Sequence, residues 1–417
     1  NEGCIPTKAF CKNADVLDAL REAADFGVTD LSYGFDFSKV VERKNAVVTQ
    51  LRGGVEGLLG HKNITLVRGK ASFKDQHTVV VDGEEYSADY IIIATGSVSA
   101  SLPIAGADLP GVITSKEILD IDEVPQRLCV IGGGVIGLEF ASIFRSFGSE
   151  VTVLEYCKDI LPRFDTDLAK RLKQSLSKKG IEINTQAQVT SVAEKSGEYT
   201  VSYTRKGKEE SVVADKVLMA VGRRANIGSL NLSDAGIEYT ARGVVVNNVM
   251  QTNVPHIYAI GDINGLMMLA HAATFQGIVA LDHIMGIENE IDLSVMPAAV
   301  FTSPEAASVG LTEDECKEKG IPVKCLKSFF RANGKAVTMG ETDGFCKIVT
   351  AAEPKDGQDS PYAAGRILGC HLFGPHASDI VQEACAMITN KTTIENFRRI
   401  IHTHPTLTEV LQSALFE

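Results

Sequence analysis

Leu128-Cys129-Val130-Ile131-Gly132-Gly133-Gly134-Val135-Ile136-Gly137 reads as a short apolar strand entering a glycine-rich turn, and a helical pattern follows it to Phe147. A second strand, from Val151 to Leu154, ends at Glu155. Gly132, Gly134 and Gly137 fit the GxGxxG spacing, and each has its own reason. The first allows the tight turn, the second lets a pyrophosphate approach the backbone, and the third lets helix and strand pack closely. The helix N-terminus then turns its free N–H groups and partial positive charge towards the phosphates. An acid about 20 residues on, here Glu155, accepts from a ribose 2′-OH and repels a 2′-phosphate, so NAD is favoured over NADP. Lys158 and Arg163 pull the other way. Strand, turn, helix, strand and acid in this order are the context that the motif requires. A bare glycine-rich turn in a buried hairpin lacks them.

Residues 88–96 (ADYIIIATG) and 214–222 (ADKVLMAVG) match each other. Both are buried-strand patterns closing on a glycine. Each follows short alternating strands, with Asp82-Gly83 before the first and Lys206-Gly207 before the second. Such self-similarity implies a duplicated supersecondary unit. The second copy opens with the Gly132 loop. No such loop precedes residue 88, so the opening strand and phosphate loop of the first copy are expected upstream of Asn1. The fold class expected is therefore α/β, with two Rossmann-like dinucleotide-binding domains, the first incomplete.

Composition sets outer bounds. The 417 residues are 44% hydrophobic and 23% charged, ordinary globular usage. The net charge of −12 argues against a nucleic-acid or anionic-membrane surface. The richest apolar run, residues 128–144, carries Glu139 and several glycines and falls short of the roughly 20 apolar residues of a membrane span. The nine cysteines are odd in number with no CxxC pair, which excludes a disulfide framework and a zinc site, and no metal is expected. Cys129, Cys346, Cys370 and Cys385 lie in apolar stretches and read as core. A reducing compartment is expected: the cytoplasm, or the mitochondrial matrix in a eukaryote.

The chain opens Asn1-Glu2-Gly3-Cys4-Ile5-Pro6-Thr7-Lys8, and a helical pattern runs from Pro6 to about Asp25, ahead of Gly27. Cys4 then sits just before a helix N-terminus, where the dipole and free N–H groups favour a thiolate. Lys8, one turn on, adds positive charge. By these residues alone, a reactive thiol and an inert buried one both stay open.

GCIPTK resembles the second half of the redox-disulfide helix of the class I pyridine nucleotide-disulfide oxidoreductase family, whose pattern is Cys, four residues, Cys, one residue, Pro, one residue, Lys. The resemblance implies that Cys4 is the second, flavin-facing cysteine, with its thiolate against the flavin of FAD. The first cysteine, which exchanges with substrate, is expected two positions before Asn1; Cys11, two helical turns on, does not replace it. Lys8 matches the lysine beside flavin N5, and Glu139 matches its glutamate partner. Ala94-Thr95-Gly96 is similar to the family's second FAD signature. Gly222-Arg223-Arg224-Ala225-Asn226 is similar to GRxPN, with Ala225 in place of proline. Tyr258-Ala259-Ile260-Gly261-Asp262 resembles the segment whose aspartate hydrogen-bonds the FAD ribityl chain. Leu269-Ala270-His271 resembles the start of the helix that faces the flavin pyrimidine, with Gln276 where a glutamate is frequent. Phe301-Thr302-Ser303-Pro304-Glu305 and Gly340-Glu341-Thr342-Asp343-Gly344-Phe345 resemble the interface domain. The domains so implied are FAD-binding at 1–104 and 225–293, NAD-binding at 105–224 and an α+β dimerisation domain at 294–417.

His402-Thr403-His404-Pro405-Thr406-Leu407-Thr408-Glu409 lies near the C-terminus. An imidazole can move protons to and from a dithiol near neutral pH, and thiolates carry out the exchange. A carboxylate five residues on can fix its tautomer. The same residues also describe a surface turn before a helix. The resemblance implies that His404 is the base and Glu409 its partner, reaching the active site of the other subunit of a homodimer. His402 reads as a helix-end histidine without a role.

No vicinal cysteine pair or redox tail stands at the C-terminus, unlike mercuric reductases and large thioredoxin reductases. No basic cluster follows Glu155, unlike NADPH-using glutathione reductases. The branch that remains implies oxidation of protein-bound dihydrolipoamide to lipoamide with NAD reduction. Its partners are lipoyl domains of 2-oxo acid dehydrogenase or glycine cleavage complexes. The alternatives are another disulfide reductase of the family and a non-catalytic NAD-binding dimer. Residues 356–361 read as an exposed loop without a function.

Overall fold

Strands β6 (Val112–Ile113), β7 (Arg127–Ile131), β8 (Glu150–Glu155), β9 (Ile181–Thr185) and β13 (Lys216–Met219) form one sheet in the order β6-β13-β7-β8-β9. Every pairing in it is parallel. Such a sheet is covered on both faces, which is why β7 is a continuous apolar run rather than an alternating one. Helix α3 (Val135–Phe147) follows the Gly132 loop and ends on Gly148; α4 (Thr166–Lys178) is capped by the carboxylate of Asp165.

In this computed structural model, residues 1–353 and 360–416 are described. Residues 356–359 of the loop read at 356–361 lie outside the described residues. The chain divides into two compact units. One comprises Asn1–Thr49, Ser101–Val221 and Val295–Glu417, the other Gln50–Ala100 and Gly222–Ser294.

The first unit holds the parallel sheet and an antiparallel meander of β10 (Ala187–Lys195), β11 (Glu198–Arg205) and β12 (Lys208–Ala214). It also holds an antiparallel C-terminal sheet. There β18 (Ala298–Val300), β19 (Glu305–Gly310), β20 (Val323–Phe329), β21 (Phe345–Ala351) and β22 (Ile367–Gly374) lie in the order β18-β19-β22-β21-β20. Helices α6 (Glu313–Glu318), α7 (Gly334–Met339), α8 (Ala377–Thr389), α9 (Ile394–Phe397) and α10 (Glu409–Phe416) accompany that sheet. Helix α1 (Cys4–Arg21) is joined to α3 by an aromatic cluster, with Phe10 edge-on to Phe147 at 5.8 Å.

The second unit contains the meander β1 (Ala71–Phe73), β2 (Thr78–Val81) and β3 (Glu84–Ser87). Strand β4 (Ile91–Ile93) runs parallel to β17 (Ile257–Ala259), and β5 (Ser97–Ser99) antiparallel to β14 (Arg223–Ala225). The pair β15 (Tyr239–Thr240) and β16 (Gly243–Val244) and helix α5 (Ala270–Met285) complete it. Helix α2 (Phe37–Leu59) spans the boundary at residues 49 and 50.

The repeat read from sequence is present. A three-stranded meander precedes β4 and another precedes β13. Their hairpins turn at Asp82-Gly83 (φ 51° and 91°) and Lys206-Gly207 (φ 51° and 76°), the left-handed pairs that a two-residue hairpin of matching twist requires. The fold class is the expected one, mixed α/β with an α+β C-terminal part.

Three local expectations are corrected. Helix α1 starts at Cys4, not Pro6, because Gly3 serves as N-cap and a proline at the third position forfeits no helical hydrogen bond. It ends at Arg21; a separate 3₁₀ turn, Ala23–Phe26, carries the chain to Gly27. Cys385 is only half-buried, whereas Cys129, Cys346 and Cys370 are core residues. Among the described residues all nine cysteines are free, and no helix is long and apolar enough to cross a membrane.

Candidate active site

The Gly132 loop is tight against the protein at two glycines and open at the third. A Cβ on Gly132 would lie 2.4 Å from the Ala220 carbonyl, and one on Gly137 would lie 2.1 Å from the Gly132 carbonyl; one on Gly134 meets nothing within 4 Å. The space at Gly134, ahead of the uncapped N-terminus of α3, fits a pyrophosphate. Glu155 is buried at the end of β8. Its Oε2 accepts from Gly133 N–H at 2.5 Å and its Oε1 from Cys157 N–H at 2.6 Å. Glu155 therefore braces the loop, and each oxygen keeps a second lone pair for a hydroxyl.

On α1, Cys4 and Lys8 are four residues apart and share a face. Cys4 is exposed. Lys8 Nζ donates to Glu139 Oε2 at 2.8 Å and lies 4.1 Å from the centre of the Phe301 ring. Glu139, buried on α3, accepts from Phe301 N–H through its other oxygen at 3.0 Å. Three segments distant in sequence thus meet at one ion pair, and the cation is held by both a carboxylate and an aromatic face. Cys11 stands apart in chemistry: burial, then the nearby Glu139 charge, pushes its thiol up to about 12, and its Sγ donates to the Phe301 carbonyl.

His404 Nδ1 lies 2.9 Å from Glu409 Oε1, and Glu409 Oε2 accepts from Thr406 N–H at 2.8 Å. The Thr406 amide first, and His404 second, hold the Glu409 carboxyl below its ordinary range. The carboxylate thus fixes the ring by its Nδ1–H, which leaves Nε2 as the proton acceptor of the exposed imidazole. Two residues passed over in the sequence support this turn. Asn333 donates to the Thr406 carbonyl at 3.0 Å, and His402 is buried against Glu383.

The second unit contains the remaining site residues. Ser97 Oγ donates to Asp262 Oδ2 at 2.5 Å and accepts from Arg223 Nε at 2.7 Å, while Arg223 Nη2 donates to the Ser97 carbonyl at 2.8 Å. Ser97 was not singled out in the sequence. Asn226 ties back to Gly96 and Thr95 through its amide groups, next to Ala94, so GRRAN and ATG form one structure despite Ala225. Gln276 accepts from Gly261 N–H at 2.7 Å and from Asn264 at 2.8 Å; its amide oxygen supplies an acceptor that a glutamate would also supply. Helix α5 opens with extended Leu269, then Ala270 and the exposed His271, and Leu269 offers no side-chain oxygen to its N–H groups. Asp262, fixed by Ser97, and this helix end suit the polyol and pyrimidine of a flavin.

An exposed thiol one helical turn from a braced lysine, a glycine-rich strand-to-helix turn and an imidazole–carboxylate pair are groups suited to a flavin- and pyridine nucleotide-dependent thiol oxidoreductase. The chain belongs to the pyridine nucleotide-disulphide oxidoreductase family: residues 1–277 match the family model, and residues 296–415 match its dimerisation domain. Such enzymes use FAD and NAD.

Among similar proteins is the dihydrolipoyl dehydrogenase of Chlamydia muridarum, 40% identical over all of this chain and 88% of its own length. A dihydrolipoyl dehydrogenase of Bacillus subtilis is 37% identical over all of this chain and 89% of its own. Of solved structures, the HOCl-induced flavoprotein disulfide reductase RclA of Escherichia coli matches with a TM-score of 0.86 and 28% identity, covering 100% of this chain and 90% of that one. LpdA of Mycobacterium tuberculosis matches with a TM-score of 0.89 and 25% identity, over the same shares.

Proposed function

We propose that this protein oxidises protein-bound dihydrolipoamide to lipoamide and reduces NAD, acting as a homodimer on lipoyl domains of 2-oxo acid dehydrogenase or glycine cleavage complexes. The observation that carries the reading is the His404–Glu409 pair, 2.9 Å apart, in a chain whose curated relatives over its full length are dihydrolipoyl dehydrogenases. The reaction balances as dithiol plus NAD⁺ giving disulfide, NADH and one proton. His404 Nε2 takes a proton from the substrate dithiol; the resulting thiolate attacks the exchanging sulfur of a disulfide with Cys4, forming a mixed disulfide as that S–S bond breaks and Cys4 leaves as the flavin-facing thiolate. Glu409 orients the ring and stabilises its protonated form. Lys8, held by Glu139 and Phe301, stands one helical turn from Cys4. FAD, when bound, relays two electrons from the thiol pair to NAD. Asp262 and the start of α5 would hold the flavin; Gly132, Gly134, Gly137 and Glu155 would hold NAD. The domains proposed are FAD-binding at 1–104 and 225–293, NAD-binding at 105–224 and dimerisation at 294–417. The compartment implied is the cytoplasm, or the matrix in a eukaryote.

A substrate panel on the holoenzyme tests this. NAD reduction by free dihydrolipoamide and by a dihydrolipoyl domain is compared with NADH- and NADPH-driven reduction of glutathione disulfide. The lipoyl dithiols with NAD are expected to lead by at least about 10²-fold in kcat/KM. Preference for glutathione disulfide would overturn the reading in favour of another reductase of the family.

A further inference from the structure

His404 stands on a segment without regular structure, between α9 and α10. A general base must hold its nitrogen within a fraction of an ångström of the productive place, and an irregular segment does not do this unaided. The fixing contacts lie on both sides. Downstream, Asn333 holds the Thr406 carbonyl, and Thr406 Oγ1 donates to the Thr403 carbonyl at 2.8 Å. Upstream, His402 turns inward. Its side chain is 4% exposed, against 78% for His404. Its ring centre lies 5.2 Å from that of Phe397, which is fully buried. Its Nε2 lies 2.8 Å from Glu383 Oε1 on α8, a helix whose Ile380, Val381 and Ala384 are core residues. His402 Nδ1 is buried with no hydrogen-bond partner.

These facts fix the tautomer. A proton on Nδ1 would leave a buried donor unsatisfied, so the ring donates through Nε2–H to Glu383. One hydrogen bond is thus the whole polar anchorage of a buried ring two residues before His404. We infer that His402, pinned by Glu383, is a positioning residue for His404: it sets where the base stands by tying its segment to α8. The inference rests on the reading of His404 as the base. Of the charged groups on neighbouring elements, Glu383 of α8 meets His402 and Glu409 of α10 meets His404.

The experiment separates the two half-reactions of the holoenzyme by stopped flow, for wild type and for His402→Leu, His402→Gln and His404→Gln. Leucine fills the site without the donor; glutamine restores an N–H at similar reach. Flavin reduction by dihydrolipoamide is expected to slow about ten- to a hundredfold in His402→Leu and to recover to within about threefold of wild type in His402→Gln. Flavin reduction by NADH stays at the wild-type rate in both, which a general structural defect would not allow. A wild-type dithiol rate in His402→Leu, or equal slowing of both half-reactions, overturns the positioning role while a slow His404→Gln leaves the base assignment standing. A wild-type rate in His404→Gln overturns the base assignment, and the positioning role with it.

Discussion

His404→Gln lowers dihydrolipoamide-dependent NAD reduction by about 10²–10⁴-fold, the range for removing a positioned general base. Glutamine can occupy the imidazole's space and keep an amide near Glu409, but it cannot take up a proton near neutral pH. The loss therefore falls on kcat, because the step removed is proton transfer from the dithiol. Glu409→Gln gives a smaller loss, since the imidazole remains and only its orientation and the stabilisation of its protonated form are weakened. Steady-state kinetics with dihydrolipoamide and NAD check both. A loss for Glu409→Gln greater than that for His404→Gln would reverse the assigned roles.

Lys347→Met lowers the free energy of unfolding by about 3–5 kcal/mol, the usual consequence of leaving a buried carboxylate, here Asp165, without its cation. Lys347 lies within β21, a strand with no exposed residue, and its side chain is 2% exposed. Its Nζ donates to Asp165 at 2.9 Å, Asp167 at 3.0 Å and Glu313 at 2.6 Å. Asp165, 1% exposed, is also the N-cap of α4. The lysine thus joins a helix beside the dinucleotide sheet to the C-terminal sheet. Burial would depress its pKa, but the hydrogen bonds to Glu313 and Asp165 outweigh it and raise it above the ordinary ammonium range. Lys327 first, with Lys347 adding to it, holds the Asp167 carboxyl down to about 2.

The signs follow. The raised lysine contributes fully below its ordinary value and loses its contribution as pH rises through the folded one. The depressed aspartate contributes fully above the ordinary carboxylate range and loses its contribution as pH falls through about 2. The cluster's contribution is accordingly flat from about pH 5 to pH 9. Urea denaturation of Lys347→Met, with an unchanged slope and a lowered midpoint, is the expected result. A midpoint equal to that of wild type would contradict it.

Much of the fold was legible because its signals are local. The Gly132 turn, the helix to Phe147 and the acid at Glu155 each depend on residues a few positions apart, and strand β7, helix α3 and strand β8 follow that plan. The hairpin turns of the two meanders were legible for the same reason. What was not legible depends on tertiary position. His402 and His404 are the same residue type two positions apart, and nothing in the sequence says that one is buried and the other exposed. The partners of His402 and Lys347, at Glu383 and Asp165, are set by topology. One signal for Lys347 was present: a lone lysine inside the apolar run FCKIVTA must find acids if that run is a buried strand. Phe301 was singled out only as part of an interface segment; its amide and ring on the Lys8–Glu139 pair appear only once α1, α3 and that segment meet.

The central claim is that Cys4 is the flavin-facing redox thiol, and labelling tests it most directly. The holoenzyme is reduced with dihydrolipoamide and treated with iodoacetamide, and label at each cysteine is counted by peptide mass spectrometry beside the remaining turnover. Cys4 is exposed at the first turn of α1, whereas Cys129, Cys316, Cys346 and Cys370 are buried. A thiolate is the species that alkylates. The account predicts that turnover falls in step with label at Cys4. Full label at Cys4 with turnover retained would contradict it.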